Sequence, residues 1–180
     1  MNSSNNKASL RAVELDDIQL LRYWRNLNQI RQKMVFTDFL DRTSQRKWFE
    51  KQNNEKARYF IYSIGMQDIG CVNLTKIDLQ RKTFEGGIFC GDLSYSNHWI
   101  NVWACISLYN YAFNDLDLTT AYATILTDNK PALSLNKSLG YKFIEHSDEG
   151  VGRFILERSQ YMVKSQKIMQ YLKVFAKQDI

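Results

Sequence analysis

The sequence predicts an α+β fold in which a mostly antiparallel mixed sheet carries helices on both faces. Apolar residues recur at helical spacing in two segments near the N-terminus and in an aromatic segment from Trp99 to Phe113. Three β-rich runs joined by short turns lie between them and are typical of an antiparallel meander. Only the strand-helix-strand unit around residues 99–126 requires a parallel crossover.

The composition bounds the number of domains and the cellular setting. With 180 residues, 44% of them hydrophobic, the chain can bury one sizeable core. We therefore predict a single domain over residues 1–180 with a flexible start at residues 1–7. No run approaches the ~20 apolar residues that span a bilayer, and the polar start MNSSNNKAS is unlike a signal peptide. We expect a soluble cytoplasmic protein with no membrane partner.

The net charge and the cysteine content limit the kinds of ligand and metal ion that the protein is expected to bind. A formal charge of +5 favours anionic partners such as a nucleotide or coenzyme A, and the scattered basic residues argue against nucleic acid. Cys71, Cys90 and Cys105 form no C-x-x-C pair, and only His98 and His146 can join them as nitrogen ligands. We expect reduced thiols and no metal.

The first half of the chain is predicted to contain a strand, two helices and the meander. A short strand covers residues 9–14, and Asp16 or Asp17 caps the first helix. Thr43 or Ser44 begins the second helix. The predicted strands of the meander are residues 57–64, 68–78 and 83–91.

The second half is predicted to continue with a helix, a strand, a helix, two strands and a last helix. The helix that begins near Lys130 ends at Gly140, where a left-handed residue can stop it. The other predicted elements are strands at residues 118–126, 142–147 and 154–163 and a C-terminal helix at residues 165–176.

This order of elements, with LTTAYATILTDNKPALSLNKSLGYKF in its second half, resembles the GCN5-related N-acetyltransferase (GNAT) superfamily over about residues 8–163. The opening LRAVELDDIQLLRYWRN resembles the branch that contains ribosomal-protein and spermidine acetyltransferases. A closer resemblance is to acetyltransferases of nucleotide-linked amino sugars in pseudaminic acid synthesis. It is carried by the short segments WRN, IRQKM, IGCVNLTKID and EGGIF. The resemblance implies the GNAT fold and acetyl-CoA as cosubstrate.

The resemblance implies that the strand EGGIFCG bulges and splays from the next strand. Backbone groups of Ile88, Phe89 and Cys90 would then bind the pantetheine arm of the coenzyme. Gly86 and Gly87 would permit the bulge and a close approach. The alternative is that the two glycines accommodate a neighbouring aromatic side chain.

The turn after this strand is the implied pyrophosphate-binding loop. The superfamily pattern has glycines there, whereas this chain has none. Ser, Asn and His side chains can donate hydrogen bonds to phosphate, so His98 is either a phosphate contact or an exposed turn residue. Trp99 is either part of this loop or packed in the core. The implied positions are Ser96, Asn97, His98, Trp99, Ile100 and Asn101.

The helix after residue 128 carries the second implied coenzyme element. Asn129 either bonds a pantetheine amide or only caps the helix, and Ala132 leaves room for the coenzyme. Asn136 stands where many members have a tyrosine that protonates the thiolate, and an amide cannot be that acid. Tyr141, water or the substrate ammonium is the alternative proton donor.

The acceptor side is expected between the first two helices and the meander. Glu85 is either the base that removes the proton of the amine or a surface glutamate. Two arginines and an aromatic side chain suit a nucleotide diphosphate, although the same segment also fits an amphipathic helix with its tryptophan in the core. The candidate acceptor-binding residues are Trp24, Arg25, Asn26, Arg31 and Met34.

We therefore expect an acetyl-CoA-dependent N-acetyltransferase that acts in a ternary complex on a small-molecule amine. The leading acceptor is a sugar nucleotide for surface-glycan synthesis, and the alternatives are a protein N-terminus or a polyamine. A non-catalytic module of the same fold is the alternative of another class, as the missing glycines allow. Apolar residues of the last helix, such as Ile168 and Leu172, either pack on the sheet or form a homodimer contact, so a monomer and a homodimer both remain open.

Overall fold

The computed structural model describes residues 7–52, 55–148 and 150–175. Within these ranges, seven strands form one sheet in the order β1-β2-β3-β4-β5-β7-β6. The strands are β1 Ala8–Ala12, β2 Arg58–Ile64, β3 Gln67–Asp78, β4 Thr83–Cys90, β5 Thr120–Leu126, β6 Lys142–Asp148 and β7 Val151–Glu157. The helices are α1 Ile18–Asn26, α2 Asn28–Arg31, α3 Arg42–Gln52, α4 Trp99–Asn110, α5 Lys130–Leu139 and α6 Arg158–Phe175.

The strand pairing confirms the predicted class. Neighbouring strands pair antiparallel except β4 and β5, which are parallel and connected through α4. The parallel pairing joins residues 83–85 to residues 120–122 and goes no further. The two strands therefore separate beyond Glu85 and Tyr122, as the predicted splay requires.

Two apolar clusters cover the two faces of the sheet. One cluster packs α4, α5 and α6 on the sheet and includes Tyr62 of β2. The other packs α1, α2 and α3 and includes Ile61 of the same strand. Because successive side chains of a strand point to opposite faces, these neighbours show that the helices lie on both sides.

The C-terminal helix begins earlier than the sequence predicts. The predicted strand at residues 154–163 ends at Glu157, and α6 begins at Arg158 rather than at residue 165. Tyr161 explains the difference, because its ring is fully buried and its hydroxyl lies 3.0 Å from the Ile106 carbonyl oxygen and 2.8 Å from Asn110 Oδ1. The predicted end at residue 176 lies outside the described residues.

The N-terminal elements also differ in detail. Of the predicted flexible start, only Lys7 is described, and its carbonyl oxygen accepts a hydrogen bond from Gly65. The helix predicted to begin at Thr43 or Ser44 begins one residue earlier, because Asp41 accepts a 2.9 Å hydrogen bond from the Ser44 N–H and acts as the cap. The short helix α2 was not predicted. No helix of the described residues has the length and apolar character needed to cross a membrane.

Candidate active site

A cavity of about 440 Å³ opens where β4 and β5 stop pairing. Its walls include residues 86–89 of β4 and residues 123–125 of β5, which directly follow the last paired residues. Strands that separate leave the main-chain N–H and C=O groups on their facing edges without sheet partners. The gap therefore offers backbone donors and acceptors to a ligand.

The cavity is lined from both faces of the sheet. On one face it is lined by Cys105 and Tyr109 of α4, and on the opposite face by Arg25 of α1 and Trp48 of α3. Helix α5 contributes a further wall. The cavity therefore lies between the two strands and is bordered by helices from both faces of the sheet.

The glycines of β4 fit against neighbouring side chains. A Cβ on Gly86 would lie closer than 3.0 Å to the Tyr109 hydroxyl oxygen, and a Cβ on Gly87 would lie 2.7 Å from Asn73 Oδ1. The alternative that a glycine accommodates an aromatic side chain therefore holds for Gly86.

The predicted bulge of this strand is wrong. The register of β4 with β3 is regular from Glu85 to Cys90, and the irregularity lies in β3 between Thr75 and Asp78. Lys76, inside this irregular stretch, has a positive φ of 49°. The extra residue thus belongs to β3, so the gap beside β4 arises from the loss of pairing with β5 alone.

Asn101 holds the turn between β4 and α4 together. Its Nδ2 donates to the carbonyl oxygen of Tyr95 at 2.6 Å and lies 3.2 Å from those of Ser96 and His98. Its Oδ1 accepts a 2.6 Å hydrogen bond from the Tyr62 hydroxyl. The side chain predicted to contact phosphate is therefore occupied within the protein.

Most of the other predicted phosphate contacts also interact with groups of the protein itself. His98 Nδ1 accepts from the N–H of Ile100 at 3.3 Å and caps α4, while Trp99 packs against the larger core cluster. Ser96 donates to a carbonyl oxygen of its own turn, and Asn97 is exposed. Residues 91–101 include no lysine or arginine. This turn therefore offers no cationic side chain to a pyrophosphate, and its predicted role as the pyrophosphate-binding loop stays a prediction.

Helix α5 places three predicted coenzyme contacts in the cavity wall: Asn129, Ala132 and Asn136. Asn129 Oδ1 accepts from the Ala132 N–H at 3.3 Å, and its Nδ2 donates to the Lys33 carbonyl oxygen at 3.2 Å. Asn129 therefore caps the helix and also joins it to the loop after α2. Asn136 Nδ2 donates to the Ala132 carbonyl oxygen at 2.8 Å, which leaves its Oδ1 available to a ligand.

Tyr141 lies behind the cavity wall rather than in it. Its hydroxyl is 2.8 Å from that of Tyr109, which does line the cavity. Burial raises the pKa of Tyr141 well above its usual value and also raises that of Tyr109. Both phenols therefore stay protonated near neutral pH, and Tyr109 lies between the Tyr141 hydroxyl and the cavity.

The predicted base, Glu85, is the last residue of β4 that pairs with β5. Its carboxylate accepts a 2.8 Å hydrogen bond from Lys76 Nζ and is not among the groups that line the cavity. The carboxylate therefore lies beside the start of the gap, paired with a cation.

Two of the five predicted acceptor-binding residues line the cavity, namely Arg25 and Met34. Trp24 is a core residue with 4% of its surface exposed. Asn26 makes two hydrogen bonds, of 2.8 and 2.9 Å, to the backbone of the loop before α3. Arg31 is half-buried outside the cavity wall.

Sequence reasoning missed several lining residues on the same face: Gln45, Trp48, Tyr59 and Asn73. The rings of Trp48 and Tyr59 meet edge to face with centroids 4.7 Å apart, and burial raises the pKa of Tyr59 to about 12. Gln45 is 3% exposed and precedes Trp48 by one helical turn. The half-buried Trp48 marks the inward face of α3, but no local pattern showed that Gln45 shares this face.

The three cysteines are free thiols. Burial raises the pKa of Cys71 and Cys105, both in the cavity wall, to about 12. Burial also raises the pKa of Cys90, whose Sγ donates to the Asp92 carbonyl oxygen at 3.0 Å. Protonated thiols are poor nucleophiles, which agrees with transfer without a covalent enzyme intermediate. No cluster of metal-binding side chains occurs among the described residues.

Comparison with known proteins places this geometry in a family. Residues 8–142 match the family model described as an acetyltransferase (GNAT) domain. The spermidine N-acetyltransferase from Vibrio cholerae in complex with CoA and spermine superposes with a TM-score of 0.79 at 19% identity, covering 86% of this chain and 98% of that chain. A domain from Methanocaldococcus jannaschii superposes with a TM-score of 0.75 at 21% identity, covering 85% and 99%. The curated proteins include no match.

Proposed function

The chain belongs to the acetyltransferase (GNAT) family, and we propose that it transfers the acetyl group of acetyl-CoA to the primary amine of a small molecule. The observation that carries this proposal is the cavity that crosses the sheet where β4 and β5 separate. The coenzyme would enter between the strands beside α5, and the amine would approach from the face covered by α1 and α3.

When bound, acetyl-CoA supplies an acyl group activated as a thioester. Backbone groups of residues 86–89 would hold its pantetheine arm, with Asn129 and Asn136 on the opposite wall and Ala132 leaving space. Main-chain N–H groups aimed into a dry gap can also stabilise negative charge that develops on an oxygen there.

The chain's own titratable groups divide between the two sides of the gap. Glu85 is the proposed base, and its pairing with Lys76 means that it acts through water rather than by direct contact with the amine. Tyr109 and Tyr141 have pKa values raised by burial, so the pair acts as a fixed hydrogen-bond donor to the cavity.

Two acceptor classes are supported by different observations. The structural comparisons favour a polyamine, because one neighbour is a spermidine N-acetyltransferase bound to spermine. The charge of the cavity favours the nucleotide-linked amino sugar that the sequence predicts. Among the described residues of its wall, Arg25 and Lys33 carry charge and no aspartate or glutamate is present, whereas a polycation needs carboxylates.

The test begins with the coenzyme. We expect calorimetry to show one-to-one binding of acetyl-CoA to the wild type and at least a tenfold loss in Ala132→Trp, which fills the gap. Ser134→Trp, on the exposed face of the same helix, is the matched control and should bind normally. Folded wild type that binds no acetyl-CoA would contradict the proposal and select the non-catalytic module.

The second step identifies the acceptor by steady-state release of the CoA thiol. The panel contains spermidine, spermine, a peptide with a free N-terminus and a nucleotide-linked 4-amino sugar. The highest kcat/KM for the sugar nucleotide would support the charge argument. The highest value for spermidine would assign the polyamine class, and acetylation of none would contradict a small amine acceptor.

A further inference from the structure

The guanidinium of Arg25 in the cavity has no counter-ion among the residues that the structure describes. Arg25 lies on α1 with its side chain in the cavity wall. Within residues 7–52, 55–148 and 150–175, no carboxylate forms an ion pair with it and no group accepts a hydrogen bond from it. Burial lowers its pKa below the usual value, while its neighbours Tyr59 and Cys71 are neutral. Arg25 is half-buried, and a charge that has lost part of its water is stabilised when a partner of opposite charge neutralises it.

The side chain of Gln45 on α3 also has no partner among the described residues. It is 3% exposed, lines the same cavity, and its side-chain amide forms no hydrogen bond to the part of the chain that the structure describes. In that part, every side-chain nitrogen or oxygen that is fully buried has a partner. The unpartnered polar atoms of Gln45 and Arg25 therefore keep some exposed surface, and both residues line the cavity.

No aspartate or glutamate is found among the described residues that line the cavity. Glu85 lies on the same face of β4 as Gly87, but its carboxylate is bonded to Lys76. Asp17, which directly precedes α1, forms an ion pair with Arg11 at 2.6 Å. A bound ligand can therefore supply the negative charge that the described residues of the cavity wall lack.

We propose that Arg25 and Gln45 form an oxyanion-binding subsite that recognises a phosphate or carboxylate group of the acceptor, at a distance from its amine. This inference rests on the proposed function. A guanidinium can donate two parallel N–H groups to such an anion, and the amide adds a further donor. Holding the anion positions the remote amine for attack in the gap.

The test in catalysis uses acceptors that differ in one group. Glucosamine 1-phosphate is compared with glucosamine, and serine with serinamide, so that the two pairs distinguish phosphate from carboxylate. We expect one anionic member to exceed its neutral partner in kcat/KM by at least about tenfold, the effect of a charge-assisted hydrogen bond. Arg25→Gln should remove this preference, so that the anionic and neutral members of each pair have similar kcat/KM values.

Three further variants separate recognition from folding and from net charge. Arg25→Lys keeps the positive charge but lacks the two parallel N–H donors of the guanidinium. It should keep part of the preference for the anionic acceptor. Gln45→Leu should reduce the preference less than Arg25→Gln. Arg22→Gln removes the same charge from the same helix, where Arg22 bonds to Gln19 outside the cavity wall, and should change nothing. Equal effects of Arg22→Gln and Arg25→Gln would overturn the subsite.

A binding measurement makes the subsite testable without turnover. Inorganic pyrophosphate is titrated into protein saturated with CoA, so that the coenzyme's own phosphate contacts are already made. We expect binding that Arg25→Gln weakens at least tenfold, and no such dependence overturns the inference. Dependence on Arg25 without acetylation of any amine would refute the proposed function alone, whereas acetylation indifferent to Arg25 and to the anion would refute the subsite alone.

Discussion

Gly86 and Gly87 are neighbours on β4, but an added side chain would meet a different obstacle at each. At Gly86 the obstacle is the ring and hydroxyl of Tyr109, which is 4% exposed and cannot move without repacking the core. At Gly87 it is the end of the half-buried amide of Asn73, which can rotate away. The cost of an alanine is therefore set by the neighbour rather than by the strand.

We predict that Gly86→Ala lowers the free energy of unfolding by about 1–3 kcal/mol, the usual cost of overpacking a core. Gly87→Ala, the matched control on the same strand, should cost clearly less. Urea unfolding followed by circular dichroism measures both. A cost of Gly87→Ala equal to or above that of Gly86→Ala would contradict the explanation.

The double variant Gly86→Ala with Tyr109→Phe tests the named contact. Removing the hydroxyl relieves the closest approach, so the double variant should be more stable than the sum of the single losses predicts. Additive losses would mean that another contact limits the space at Gly86.

Sequence reasoning reached these glycines and Arg25 but not Gln45. Two adjacent glycines in a strand are a local signal that requires no knowledge of the neighbours. A glutamine in a charged helix gives no such signal, because periodicity identifies the buried face of α3 through Trp48 without showing which polar residue shares it. The contacts of Asn101 depend on Tyr62, which is far away in sequence, and so could not be predicted either.

At the level of elements, an ion pair joins β1 to the start of α1. Arg11 donates to both carboxylate oxygens of Asp17, at 2.6 and 2.8 Å, and to Asp68 of β3 at 2.7 Å. The hydrogen bond from Arg11 lowers the pKa of Asp17, although burial opposes this shift, and the pKa of Arg11 is raised mainly by the same bond. Protonation of Asp17 therefore weakens the contact that holds the start of α1 against β1.

We predict that Asp17→Asn lowers the free energy of unfolding by about 1–2 kcal/mol at neutral pH, discounted because Arg11 is 42% exposed. The folded pKa of Asp17 is depressed below the unfolded value of about 3.9. Its contribution is therefore present above that unfolded pKa and is lost as the pH falls through the folded one. Unfolding titrations at pH 7 and below pH 3 measure the difference.

The control for this prediction is Asp16→Asn, which removes the same charge at the exposed neighbouring position. It should have little effect at either pH. If Asp17→Asn costs as much in acid as at neutral pH, the loss comes from packing or from the hydrogen bond with the Glu14 N–H rather than from the ion pair.

The order of the elements could be predicted from the sequence, whereas the start of α6 and the irregularity of β3 could not. Periodicity distinguishes strands from helices in long segments, and it predicted the meander and the crossover through α4. It misassigned the start of α6, because apolar and aromatic residues lie on both sides of the boundary, at residues 154–156 and 161–163. The contact of the Tyr161 hydroxyl with α4 favours the helical conformation for the second group. The irregularity of β3 gave no glycine signal, since Lys76 takes the positive φ itself.

At the level of the whole molecule, the family match ends at residue 142 but the core does not. Strand β7 pairs with β5 along residues 151–157, and α6 contributes the fully buried Tyr161 to the cluster that contains Phe84 and Phe113. The sheet is continuous from β1 to β6. We therefore propose that the chain is one domain in which the two faces of the sheet cannot unfold separately.

This proposal predicts a single cooperative transition, which a variant on one face and a probe on the other can test. Tyr161→Phe removes the hydroxyl group that donates to the Ile106 carbonyl oxygen and Asn110 Oδ1 on α4. It should lower the free energy of unfolding by about 1–3 kcal/mol. In a background with Trp99 and Trp103 replaced by phenylalanine, fluorescence reports only Trp24 and Trp48 on the opposite face. In one domain, Tyr161→Phe shifts this signal and the far-ultraviolet circular dichroism to the same lower urea midpoint with unchanged slope. A fluorescence midpoint that stays in place while the dichroism shifts would divide the chain into two folding units along the plane of the sheet.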